Sequence, residues 1–314
     1  MPVPADPSVL RPGDLDHVGG PLVGTEVVLS DGAVTDVHVA GPDDGEVVLL
    51  ICGLGQHRTD WPPELRARLH EAGYRTVCAD DRDAGRATVV DGTLEDLPRA
   101  EDGWPVPPYD LARVATDHVE VLDHLGIDRA HVLGVSMGGM IAQHVAFGHP
   151  DRVTTLTSVM STTGAREVGA PHERAKPVLT TIPPTDTLDG YVDHLRHLHT
   201  LICSPGHVED ERVAARARTK WARGVSTEGT ARQLLSIRAD GDRTARLAGV
   251  VAPTLVLHGE DDPLIDVSGG HATADAIAGA RLVTVPGWGH DLPVALLDRV
   301  LEPTLAHLTA HPIG

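Results

Sequence analysis

The sequence has few basic residues and no long apolar run. Lysine and arginine together number 26, against 45 aspartates and glutamates, and the net charge at pH 7 is -19. This negative charge repels nucleic-acid phosphates and anionic lipid surfaces at long range, so we expect neither nucleic acid nor a membrane as a partner. No stretch approaches the roughly 20 consecutive apolar residues that span a bilayer.

Cysteine is also scarce, and a secretion signal is not evident. The three cysteines, Cys52, Cys78 and Cys203, are odd in number, and two of them lie in apolar, strand-like runs where a small buried thiol packs well. Residues 1–20 lack the basic start and the apolar run of a signal peptide. We therefore expect the protein to act in the reducing cytoplasm.

Metal-binding motifs are missing although the chain has 19 histidines. His194, His197 and His199 are close together, but no Cys-x-x-Cys or His-Glu-x-x-His pattern accompanies them. We interpret these histidines as solvated or substrate-facing side chains, and we expect neither a metal nor a cofactor.

The hydrophobic pattern predicts alternating strands and helices, which indicates a parallel sheet with helices on both faces. A turn at Asp31-Gly32 predicts that the first two strands form an antiparallel hairpin. The predicted strands are 23–29, 34–40, 47–52, 75–79, 130–135, 153–159, 254–258 and 281–285. The predicted helices are 62–72, 109–125, 137–147, 188–201, 209–222, 227–237, 269–277 and 292–308.

The alternation is interrupted once, by a proline-rich stretch with helical periodicity. We interpret residues 162–246 as a helical cap, and residues 23–161 and 247–314 as the core that it covers. Residues 1–22, which are rich in proline, aspartate and glycine, are predicted to form a loose leader.

The most specific motif is a serine between glycines, Gly-Val-Ser-Met-Gly-Gly at 134–139, directly after an apolar strand and before a helix. A serine on a sharp strand-to-helix turn needs small residues two positions before and after it, because the chain passes close by. Gly134 and Gly138 satisfy this need, so Ser136 is predicted to be a nucleophile. A helix-capping serine in a glycine-rich turn is the structural alternative.

A serine nucleophile requires a base and an acid later in the chain. His290, on a glycine-rich loop after the last predicted strand, is the predicted base. Asp262, on the loop after the strand 254–258, is the predicted acid because it immediately precedes Pro263. Asp261 is the rival for the acid, and Glu260 is less favoured.

The negatively charged oxygen formed during attack needs two backbone N–H donors. Met137, which follows the nucleophile, is predicted to supply one. The loop after the strand 47–52 is predicted to supply the other, with Leu54 preferred and Gly55 as the alternative.

With these motifs, the chain resembles the α/β-hydrolase superfamily from about residue 25 to residue 305. The stretches Asp-Arg-Asp-Ala-Gly-Arg at 81–86 and Pro-Gly-Trp-Gly-His-Asp-Leu-Pro at 286–293 resemble the aclacinomycin methylesterase-type enzymes of actinomycete polyketide pathways. The resemblance implies a mostly parallel eight-stranded sheet with the cap inserted after the sixth strand. It also implies cleavage of a methyl ester on a bulky polycyclic substrate.

We therefore expect a carboxylic ester hydrolase that forms an acyl-enzyme and takes a small apolar ester. An acyltransferase, a carbon–carbon bond hydrolase or a lactonase would use the same triad, and a cyclase or binding protein could keep the fold without hydrolysis. His57 and Trp288 are candidate substrate contacts, with a surface histidine and a core tryptophan as the alternatives. The apolar cap helices also allow a homodimer contact.

Overall fold

The computed structural model of the protein describes residues 24–313, so the predicted leader 1–22 lies outside the described residues. Eight strands form one sheet, as the sequence predicts. They are β1 (Thr25–Val28), β2 (Val34–Ala40), β3 (Val47–Ile51), β4 (Arg75–Ala79), β5 (Ala130–Val135), β6 (Val153–Val159), β7 (Thr254–Gly259) and β8 (Arg281–Val285).

The strand order in the sheet is β1-β2-β4-β3-β5-β6-β7-β8. The pairs β1–β2 and β2–β4 are antiparallel, and every other neighbouring pair is parallel. The predicted hairpin and the mostly parallel sheet are thus confirmed. Because β3 and β5 are neighbours and their connections run to opposite faces, a crevice forms at their carboxyl ends, where ligands bind in open sheets of this kind.

Ten α-helices lie within residues 24–313. They are α1 (Pro63–Glu71), α2 (Leu111–His124), α3 (Met137–Gly148), α4 (Pro177–Thr180), α5 (Leu188–Ile202), α6 (Asp210–Arg223), α7 (Thr227–Asp240), α8 (Thr244–Leu247), α9 (Ser268–Ala276) and α10 (Leu297–Ala310).

The helices cover both faces of the sheet, as predicted. Successive residues of a strand point to opposite faces, and in β3 Leu49 belongs to the core cluster with α2 and α3. Its neighbour Leu50 belongs to the cluster with α1 and α10. All five residues of β3 are buried, which explains why this strand is apolar throughout.

Helices α4 to α8 lie between β6 and β7, in the stretch that we interpret as a cap. The prediction for 162–246 included α5, α6 and α7 but not the one-turn helices α4 and α8, which are too short to show periodicity. The prediction of a last helix from residue 292 was wrong at its start. A short 3-10 turn at Val294–Leu296 precedes α10, because the loop that carries His290 continues to Pro293.

Buried ion pairs join the inserted helices to the sheet. Arg232 on α7 donates two hydrogen bonds to Asp83 at 2.8 and 2.9 Å, and both side chains are almost fully buried. Arg223 at the end of α6 contacts Asp36, which lies within β2, and Asp80, which directly follows β4. Breaking such a buried pair would leave a charge without a partner, which is strongly unfavourable. These contacts therefore hold α6 and α7 in a defined position over the sheet.

Candidate active site

Ser136 occupies the sharp turn between β5 and α3. Its φ of 56° and ψ of -120° lie in a region that non-glycine residues rarely adopt. The backbone N–H of Ser136 donates to the Val159 carbonyl at 2.9 Å, and its carbonyl accepts from the Ser161 hydroxyl at 2.9 Å. These bonds hold the serine in a strained conformation that presents its hydroxyl above the sheet.

The glycines around the serine are required by close backbone packing. A Cβ on Gly134 would lie 2.0 Å from the Gly138 carbonyl oxygen, and a Cβ on Gly138 would lie 2.2 Å from the Ile51 carbonyl oxygen. A Cβ on Gly139 would likewise lie 2.6 Å from the Ser161 Cβ. The turn therefore tolerates no side chain at these positions.

The structure brings Ser136, His290 and Asp262 into one hydrogen-bonded chain. The Ser136 hydroxyl lies 3.0 Å from His290 Nε2, and His290 Nδ1 lies 2.7 Å from Asp262 Oδ2. Ser136 follows β5, His290 follows β8 and Asp262 follows β7, so the carboxyl ends of three parallel strands supply them. This arrangement can move a proton from the serine to the imidazole while the carboxylate fixes the tautomer.

The surroundings of Asp262 favour its ionised form. Its Oδ1 accepts hydrogen bonds from the Leu264 and Ile265 amides at 2.9 Å, and His258 Nε2 lies 3.4 Å from Oδ2. Burial opposes ionisation, but the charge of His290 and the hydrogen bonds from both histidines outweigh it and hold the pKa of Asp262 well below its usual range.

The rival carboxylates point elsewhere. Asp261 is exposed and accepts a hydrogen bond from the Gly287 amide at 2.8 Å. Glu260 accepts from the Thr284 hydroxyl at 2.8 Å. Neither makes a hydrogen bond to His290, whereas Asp262 does.

Leu54 and Met137, whose backbone amides are the predicted oxyanion donors, line the same cavity as Ser136. Met137 is the first residue of α3, so its N–H has no acceptor within the helix. The Leu54 amide, on the loop after β3, also makes no hydrogen bond within residues 24–313, while the Gly55 amide donates to Gln233 at 2.8 Å. The amides of Leu54 and Met137 are therefore free to bind an oxyanion. The amide of Gly55, the alternative donor, is already hydrogen-bonded to Gln233.

Side chains of α6 and α7 hold the loop that carries Leu54. Gln233 accepts from the Gly55 amide, and Lys220 Nζ donates to the Gly55 carbonyl at 2.7 Å. Gln233 also donates to the Arg82 carbonyl at 2.7 Å. Sequence reasoning missed both residues, because nothing in the local pattern of α6 or α7 marks contact with a distant loop.

A cavity of about 420 Å³ opens above the serine. It lies between the carboxyl ends of the strands and the inserted helices, and its walls are mainly apolar, with Met140, Leu195 and Leu234 among them. The polar groups that line it include Ser136, His290, Gln56 and several side chains of α5 and α6. Its volume lies within the roughly 300–1,000 Å³ usual for small-molecule sites.

The two candidate substrate contacts have different positions. His57 is buried and lines the cavity, and burial together with the charge of Lys220 lowers its pKa to about 3, so the imidazole is neutral. Trp288 does not line the cavity. It is fully buried in the core cluster of α1 and α10, and its indole N–H donates to the Asp291 carbonyl at 2.6 Å. The prediction that Trp288 contacts substrate is therefore wrong, because its large apolar ring packs in the core.

The histidines of α5 are not grouped as metal ligands. Among residues 24–313, no three or more side chains of histidine, cysteine, aspartate or glutamate are placed to hold an ion. His197 is exposed and His199 is buried against the cavity. In the same part of the chain, no helix has the length and hydrophobicity needed to cross a bilayer.

The family model of the alpha/beta hydrolase fold matches residues 46–294. The chain is 30% identical over 296 residues to rhodomycin D methylesterase DauP of Streptomyces sp. (strain C5), which covers 87% of this chain and 92% of the relative. It is 31% identical over 278 residues to the putative carbamate hydrolase RutD of Variovorax paradoxus (strain S110), with 87% and 96% covered.

A solved structure of a hydrolase from Pseudomonas aeruginosa PA01 is also similar. It has a TM-score of 0.69 and 26% sequence identity to this chain, and the match covers 90% of this chain and 97% of that one. The resemblance read from the sequence motifs is thus confirmed.

Proposed function

This chain belongs to the α/β-hydrolase fold family as an ester hydrolase, and we propose that it cleaves a methyl ester on a bulky, largely apolar carboxylic acid through Ser136, His290 and Asp262. The observation that carries the proposal is the hydrogen-bonded chain of these three side chains at the floor of a large apolar cavity. The methyl ester comes from the rhodomycin D methylesterase relatives, and the bulky acid from the substrate class that the sequence resemblance implies.

The proposed reaction has two halves. Ser136 Oγ attacks the ester carbonyl carbon while His290 Nε2 takes the hydroxyl proton, and the Leu54 and Met137 amides bind the resulting oxyanion. The tetrahedral species collapses, the bond to the alkoxy group breaks, and His290 returns the proton to the leaving alcohol. A water molecule then attacks the acyl-enzyme by the same route and releases the carboxylic acid and free Ser136.

The cavity supports a bulky acyl group. Its apolar walls gain free energy by covering hydrophobic surface, at roughly 25 cal/mol per Å² removed from water. We propose that the helices in 162–246 act as the cap that shapes this volume, and that His57 contacts the bound acid.

The proposed cellular location is the cytoplasm. Cys52, Cys78 and Cys203 are all unpaired and buried in the structure. Burial raises the pKa of the Cys78 thiol to about 11, so this thiol stays protonated and unreactive. Free, inert cysteines are typical of proteins in a reducing compartment.

The test is covalent labelling of the serine combined with product analysis. Intact-protein mass after exposure to a fluorophosphonate should show one adduct on the native chain and none on Ser136→Ala. Methyl esters of polycyclic aromatic acids should give methanol and the free acid, with a rate that falls by about 10⁴-fold or more in Ser136→Ala.

Other outcomes separate the alternatives. Ester formation with an added alcohol in place of acid release indicates an acyltransferase. Turnover that persists undiminished in Ser136→Ala contradicts the acyl-enzyme and favours a cyclase or another non-covalent role.

A further inference from the structure

A polar region of the cavity lies beside His290 and takes no part in the proposed proton transfer. It combines His199 of α5, Arg216 of α6 and Asp291, which follows His290 directly, and all three line the cavity. Within residues 24–313, His199 Nε2 and Asp291 Oδ2 are buried and make no hydrogen bond. Buried polar atoms without partners cost about 1–3 kcal/mol each, so this pair is suited to a ligand that satisfies it.

The distance between the two unpaired atoms fits one bound oxygen. His199 Nε2 and Asp291 Oδ2 lie 3.8 Å apart, which is too far for a direct hydrogen bond. A single oxygen atom can lie about 2.8 Å from both of them. The other carboxylate oxygen, Asp291 Oδ1, is fixed by the Ser204 amide at 3.0 Å and the Ser204 hydroxyl at 2.5 Å, so the carboxylate cannot turn away.

Arg216 adds a donor with no partner of its own. Its guanidinium makes no hydrogen bond or salt bridge with the residues that the structure describes, although it lines the cavity. Lys220, one helical turn further along α6, is engaged by the Gly55 carbonyl and by Asp60, whose Oδ2 is 3.3 Å away. Arg216 is therefore the side chain of this face of α6 that remains available to a ligand.

The protonation states define the kind of oxygen that fits. Burial, with the nearby charge of Arg216, lowers the pKa of His199 to about 4, so at neutral pH the ring carries one N–H. Burial raises the pKa of Asp291, and its hydrogen bonds from Ser204 and the charge of Arg216 oppose this effect. An anionic ligand group would meet the Asp291 carboxylate, whereas a hydroxyl can donate to Asp291 and accept from His199.

We propose that His199, Arg216 and Asp291 form a subsite for a hydroxyl group on the acyl part of the substrate. The hydroxyl donates to Asp291 Oδ2 and accepts from His199 Nε2 and from the guanidinium of Arg216. The inference rests on the proposed function in taking the bound molecule to be the acid part of an ester. It narrows the substrate class to esters that carry a hydroxyl group on the acid part.

The test measures binding without turnover. Ser136→Ala is titrated calorimetrically with methyl 2-naphthoate and with its monohydroxy derivatives, one for each ring position. At least one derivative should bind about tenfold more tightly than the parent ester, the ratio expected for one net hydrogen bond. Arg216→Met or His199→Phe, added to Ser136→Ala, should remove most of that preference.

Matched controls lie on the same helices. Arg218→Met on α6 and His197→Phe on α5 change residues that do not line the cavity, and each should keep the hydroxyl preference. Equal or undetectable binding across the series, or a preference that survives both Arg216→Met and His199→Phe, overturns the subsite.

Hydrolysis of methyl 2-naphthoate by the chain with Ser136 intact tests the proposed function separately. Hydrolysis without any hydroxyl preference retains the esterase and removes the subsite. A hydroxyl preference in binding without hydrolysis retains the subsite and contradicts the esterase.

Discussion

Gln233 of α7 accepts a hydrogen bond from the Gly55 amide at 2.8 Å, and this bond joins a helix of the inserted segment to the loop that carries Leu54, a proposed oxyanion donor. The Gly55 carbonyl is bound from the other side by Lys220. The inserted helices therefore do more than enclose the cavity. They also hold the loop of the proposed backbone donor, which must lie close to the developing oxyanion.

Replacing Gln233 by methionine keeps the side chain's size but removes the acceptor for Gly55. Because a displacement of about 1 Å at a catalytic group costs up to about 100-fold in rate, we expect kcat to fall by about 10- to 100-fold with little change in KM. Steady-state kinetics and the rate of fluorophosphonate inactivation should fall together. A rise in KM at constant kcat would instead assign Gln233 to substrate binding.

Replacing Asp262 by asparagine should lower kcat by about 10⁴-fold, because the amide favours the wrong tautomer of His290. Asp261→Asn, one residue away and hydrogen-bonded to the Gly287 amide, is the matched control and should stay within a few-fold of the native rate. Comparable losses in both variants would contradict the assignment of Asp262 as the acid.

Replacing Gly134 by alanine places a Cβ 2.0 Å from the Gly138 carbonyl oxygen. We expect the free energy of unfolding to fall by about 1–3 kcal/mol or more, with activity lost as the turn shifts. Gly148→Ala is the control in α3, since a Cβ there meets nothing within 4 Å. Chemical denaturation of both variants makes the comparison, and similar stabilities would refute the packing argument.

Stability should fall on acidification between pH 6.5 and about 4. Burial lowers the pKa of His307 to about 4, so the unfolded chain binds more protons than the folded chain in this range. The stabilising effect is present above the unfolded pKa of about 6.5 and is lost as pH falls from that value towards the folded pKa. His57 and His199 act in the same direction.

His307→Gln should reduce this pH dependence, since glutamine can donate to the Pro253 carbonyl, which lies 3.2 Å from His307 Nε2, without titrating. His271→Gln, at an exposed position of α9, should leave it unchanged. Urea denaturation at several pH values measures both. An identical slope in the native chain and His307→Gln would show that His307 does not contribute.

Local patterns in the sequence were sufficient to predict the sheet and the loops that carry Ser136 and His290. Each buried strand is an apolar run bounded by turn residues, and Ser136 and His290 lie on glycine-rich turns directly after such runs. The chain order serine, acid, histidine and the parallel sheet together require these loops to meet at one edge. The side chain that bonds to His290 was not determined in this way, because Asp261 and Asp262 are adjacent in the same loop.

The tertiary structure decided what depends on contacts between distant segments. It directs Asp262 to His290, buries Trp288 in the core, and places Gln233 against Gly55, 178 residues away. It also brings His199, Arg216 and Asp291 to one region of the cavity from two helices and a loop. Such contacts depend on how inserted helices pack over the sheet, and periodicity along a helix records which face is apolar but not which distant residue that face meets.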